Sequence, residues 1–64
     1  MSRMFHENLT FLRKAKHLSQ EELADKIGVS RQTISRYETG EALPDIEKCK
    51  CLAEVLDVTL DDLV

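Results

Sequence analysis

Only three positions in this chain carry a residue that breaks a helix. Glycine occurs at 28 and 40, and proline at 44. Elsewhere the apolar residues recur at helical spacing, and no stretch alternates apolar and polar side chains as a half-buried strand would. A 64-residue chain punctuated this sparsely is expected to fold as short helices joined by tight connections. The spacing predicts a first helix from about Met4 to Lys16, with Phe5, Leu9 and Leu12 inward and Phe11 and Ala15 flanking them. Ser19-Gln20-Glu21-Glu22 forms a capping box, in which hydroxyl and carboxylate each take a backbone amide, and opens a second helix. Gly28 ends that helix in the left-handed conformation that costs glycine no Cβ clash. Ser30 caps a third helix, which runs to Gly40. Asp45, after Pro44, caps a fourth, with a stripe of Ile46, Cys49, Leu52, Ala53 and Leu56. Thr59 and Asp62 open a short fifth helix, with Leu60 and Leu63 inward.

Size sets the next constraint. Below about 70–80 residues a single core rarely supplies more than ~3–5 kcal/mol. Compact helix packing, a partner subunit, a metal or disulfides must contribute the rest. There is no apolar run near the ~20 residues of a membrane helix, and the N-terminal MSRMFHENLT lacks the apolar stretch of a signal peptide. The expectation is one domain over residues 1–64, cytoplasmic and without a membrane partner. Cys49 and Cys51 are the only cysteines. Side chains two apart on a helix face different ways, which disfavours a disulfide between them. No Cys and His cluster completes a zinc site. Cys49 is expected on the core face and Cys51 more exposed, with no metal and no cofactor. No glycine-rich phosphate loop or nucleophile motif points to an enzyme.

Charge is unevenly placed. The net charge is −3, yet residues 1–40 carry seven basic side chains, Arg3 among them, against five acidic ones. Residues 41–64 carry two basic against seven acidic. Such asymmetry suits a molecule that turns one face to phosphate, although a solvated surface produces the same count.

The segment QEELADKIGVSRQTISRYET, Gln20 to Thr39, reads as two short helices around a glycine turn. That is the layout of a helix-turn-helix, which holds its second helix for the DNA major groove. On a wheel, Arg31, Gln32, Ser35 and Arg36 fall within an arc of about 140°, with Ile34 and Tyr37 on the other side. Arginine can bond guanine O6 and N7 in bidentate fashion, and glutamine can do so with adenine N6 and N7. Any amphipathic surface helix shares the bare pattern.

The wider pattern is more specific. Ala24, Gly28 and Ile34 at their spacing, with apolar residues at 23, 27, 29 and 37, resemble the helix-turn-helix of the phage Cro and repressor family, also called XRE. The flanks NLTFLRKAKHLSQEELA, SRQTISRYETGEALPD and LAEVLDVTLDDLV are similar too. The resemblance spans about Phe5 to Val64. It implies a compact all-α, five-helix, lambda-repressor-like domain that binds double-stranded DNA and regulates transcription, as a homodimer. It assigns base reading to Arg31, Gln32 and Arg36, and backbone or secondary contacts to Gln20, Ser30, Thr33 and Ser35. It makes Arg13 and Glu38 a structural ion pair; direct phosphate contact is the alternative for Arg13. One departure stands out. Family members often carry basic residues after the third helix, where this chain has Glu41, so dimerisation gains importance. Leu60, Leu63 and Val64 with the 39–43 loop are the candidate interface. A second reading is an interaction module, such as an antitoxin, whose acidic C-terminal half binds a toxin or another protein partner.

Overall fold

The computed structural model describes residues 4–64; Arg3, counted above in the basic half, lies outside them. Five helices follow in order: α1 Phe5–Ala15, α2 Gln20–Ile27, α3 Arg31–Thr39, α4 Ile46–Leu56 and α5 Leu60–Leu63. Their boundaries are set by local chemistry. Ser19 accepts the Glu22 N–H while the Glu22 carboxylate accepts the Ser19 N–H at 2.9 Å, closing the capping box of α2. Ser30, Asp45 and Thr59 cap α3, α4 and α5 through their side-chain oxygens. Gly28 and Gly40 adopt φ of 75° and 84°, ending α2 and α3 in the left-handed region. His17 and Asp57 do the same after α1 and α4 without glycine's freedom, at φ of 58° and 57°.

Every helix supplies the core. Leu9, Leu23, Ile34, Leu52, Leu56 and Leu63 are fully buried, joined by Ala24, Ile27, Tyr37 and Ala53. Burying one such leucine contributes about 1.5–3 kcal/mol. α2 packs on α3 and α4, while α1 packs on α3 and α5. Two side chains tie distant backbone ends. Lys48 Nζ donates to the Ile27 carbonyl at 3.1 Å, satisfying the open end of α2 from α4. Asn8 Nδ2 donates to the Leu63 carbonyl at 3.0 Å, fastening α5 to α1. No described helix is long and apolar enough to cross a membrane.

Three expectations need correction. Ile46 does not face inward; it is 63% exposed. It is the first residue of α4, and Cβ atoms lean toward a helix N-terminus, so its side chain leans off the end of α4. Cys51 is not the freer thiol. Both cysteines are half-buried and unbonded to each other, and Cys51 packs against the core cluster. Cys49 sits at the rim, its Sγ 3.8 Å from the Pro44 carbonyl. Burial and the Asp45 carboxylate raise its thiol pKa, which makes it a poor nucleophile at neutral pH. Finally, Leu63 is buried and Leu60 packs against the core, as their inward placement predicts, so the candidate interface keeps only Val64 and the 39–43 loop. In a domain this small α5 is the lid of the core, so its apolar face is used internally. Leu43, Ile46 and Val64 remain exposed.

Candidate nucleic-acid interface

α3 is held by two side chains and presents the rest. Ile34 and Tyr37 are buried, whereas Arg31, Gln32 and Arg36 are exposed. Burial raises the pKa of the Tyr37 phenol, with Asp45 and Cys49 adding to the effect. Ser35 and Thr33 are half-buried. The Ser30 and Thr33 hydroxyls share a hydrogen bond of 2.9 Å, and Ser30 Oγ also accepts the Thr33 N–H. Both therefore lie at the N-terminus of α3, where free amides and the helix dipole favour an anion. At the other end the Arg36 carbonyl accepts from the Gly40, Glu41 and Ala42 amides and from Thr39 Oγ1. This closure turns the chain abruptly away from the helix axis.

A polar network underlies the exposed face of α3. Arg13 Nε donates to Glu38 Oε2 at 2.6 Å and Arg13 Nη2 to Glu38 Oε1 at 3.1 Å, a bidentate pair whose side chains are 11% and 6% exposed. Arg13 Nη1 also donates to the Leu18 carbonyl at 2.7 Å, holding the α1–α2 connection. Glu38 Oε1 further accepts Gln20 Nε2 at 3.1 Å, and Gln20 Oε1 accepts Arg31 Nη1 at 3.4 Å. One chain of contacts thus runs from a nearly buried ion pair to an exposed arginine of α3. The sequence reading placed Gln20 on the DNA backbone. Its contacts with Glu38 and Arg31 leave no mark in the sequence, because contacts between residues 18 and 11 apart on different helices carry no spacing signal.

The fold and this face define a helix-turn-helix domain, in which α2 braces α3. Residues 10–63 match the helix-turn-helix family HTH_3. The chain belongs to this helix-turn-helix family, and the relatives it resembles include transcriptional regulators and a phage repressor. It is 43% identical over 60 residues to the HTH-type transcriptional activator BcrR of Enterococcus faecalis, covering 94% of this chain and 29% of that protein. It is 39% identical over 57 residues to the cryptic phage CTXphi repressor RstR of Vibrio cholerae, covering 89% of this chain and 51% of RstR. The chain therefore spans about half, or less, of the length of these relatives. Among solved structures, the P22 c2 repressor in complex with a synthetic operator superposes with a TM-score of 0.92 at 28% identity, over 98% of this chain and 96% of that one. The biofilm regulator SinR in complex with DNA gives 0.87 at 33% identity, over 94% and 97%.

Proposed function

We propose that this protein regulates transcription in the cytoplasm by binding a specific duplex as a two-fold dimer, with α3 in the major groove. The observation that carries this reading is the seating of α3. Two buried apolar residues, Ile34 and Tyr37, fix the helix while Arg31, Gln32 and Arg36 are exposed to solvent. In this reading those three side chains contact base edges. Gln20, Ser30, Thr33 and Ser35 contact phosphates or add secondary base contacts. Two copies would place their α3 helices in successive major grooves about 34 Å apart. Leu43 and Ile46 are 76% and 63% exposed just beyond α3, and they supply apolar surface for the contact between copies.

Selection of bound duplexes from a random library tests this reading directly. The expected product is a near-palindrome with half-sites one helical turn apart. On the selected site, Arg31→Ala or Arg36→Ala should each cost about 1–3 kcal/mol and relax preference at one base pair per half-site. Enrichment of no sequence, or unchanged preference in both variants, would refute the assignment.

A protein partner is the second reading, and it has its own support. SinR, similar to this chain in fold, is also seen in a complex with the SinI protein. The acidic stretch from residue 41 onward and the exposed Leu43 and Ile46 suit such a contact. A toxin would be one such partner, and copurification from cells co-expressing neighbouring genes would find it.

A further inference from the structure

We infer that Glu38 is a positioning residue for base reading: it fixes the amide of Gln20 so that the Gln20 carbonyl restrains the guanidinium of Arg31. The inference rests on the reading of Arg31 as a base contact. An ionised carboxylate can only accept hydrogen bonds, and a guanidinium can only donate them. Gln20 lies between one of each. Its Nε2 is 3.1 Å from Glu38 Oε1, and its Oε1 is 3.4 Å from Arg31 Nη1. Turned over, the amide would face NH2 toward guanidinium and carbonyl toward carboxylate, two repulsive contacts in place of two attractive ones. The orientation of Gln20 is therefore dictated by Glu38, which is itself clamped by the Arg13 fork.

The consequence falls on one arginine and not the other. Ordering a long side chain at an interface costs roughly two- to tenfold in affinity. Arg31 has part of that ordering done before DNA is met. Among the described residues, Arg36 has no side-chain partner and supplies an internal control. The pattern also fixes residue chemistry. Position 31 must donate, because position 20 offers it an acceptor.

Two variants separate this role from simple packing. Gln20→Met keeps the length of the side chain, removes both polar ends and leaves the Arg13–Glu38 pair in place. Glu38→Gln gives Gln20 a donor to face as well as an acceptor, so its carbonyl can turn away from Arg31. Affinities of the full chain are measured on the selected duplex and on versions altered at the Arg31 and Arg36 base pairs. Circular dichroism confirms that each variant is folded at the assay temperature. Discrimination at the Arg31 base pair should fall about three- to tenfold in both variants, with discrimination at the Arg36 base pair unchanged. In an Arg31→Ala background, Gln20→Met should cause no further loss at that base pair. An equal loss of affinity on every sequence with Gln20→Met would mean that Gln20 only touches the backbone, and would overturn the proposal. Unchanged discrimination in folded Gln20→Met would overturn it as well. If Arg31→Ala itself altered no base preference, the base-reading assignment beneath the proposal would fail, a result visible before either relay variant is made.

Discussion

Arg13 and Glu38 combine a bidentate ion pair with near-complete burial, and that combination has a known asymmetry. Replacing both partners with apolar residues of similar volume is often tolerated, whereas removing one leaves a buried charge stranded. Arg13→Ala or Glu38→Ala is expected to cost about 3–5 kcal/mol in urea denaturation. The double replacement with Met and Leu should cost far less than the two single changes combined, and a thermodynamic cycle without coupling would refute the pairing. At this scale the sequence was informative about residue type and weak about contact. The exposed face of α3 could be read from a helical wheel, since Ile34 and Tyr37 are its only large apolar members. The path from Arg13 through Glu38 and Gln20 to Arg31 could not, because it joins three helices whose mutual packing no local pattern encodes.

Helix ends were the most legible elements, because a cap is decided within about four residues. Ser19, Ser30, Asp45 and Thr59 cap where their sequence context predicts. The burial of α4 was less legible. Periodicity gives the direction of a face and says nothing about which end overhangs, so Ile46 was misplaced. Two predictions belong here. Gly28→Ala should cost about 1–2 kcal/mol, from the left-handed backbone alone, since a Cβ there meets nothing within 4 Å. Gly40→Ala should cost more, because its Cβ would also lie 3.3 Å from His6 Nδ1; thermal melts of the pair give the ranking. The second prediction concerns acid. The Ser19 backbone and hydroxyl bonds hold the Glu22 carboxyl below its ordinary value of 4.5. A lowered folded-state pKa contributes stability that is present above the unfolded value and lost as pH falls through the folded one. Glu22→Gln keeps the cap without the charge. Its melting temperature should therefore fall less than that of the wild type between pH 6 and pH 3, and parallel curves would refute the assignment.

For the molecule as a whole, the net charge of −3 limits non-specific attraction to DNA. In the proposed dimer a second copy would double the phosphate contacts and the bases read. Each neutralised phosphate contributes about −0.9 to the slope of log affinity against log salt. Native mass spectrometry is expected to find two chains on the selected duplex, and Leu43→Asp should shift the balance toward one. A single chain on a site without symmetry would rule the dimer out. The bond from Asn8 to Leu63 bears on a different property, the order of assembly. It joins residues 55 apart in sequence, whereas α2 with α3 and α4 with α5 are neighbours along the chain. Closing so long a loop loses entropy before the contact returns anything, so the docking of α5 on α1 should come after the folding barrier. Asn8→Ala is then expected to speed unfolding and leave the refolding rate nearly unchanged. In stopped-flow chevrons only the unfolding limb would rise, and the joint between first and last helix would be what sets the native lifetime.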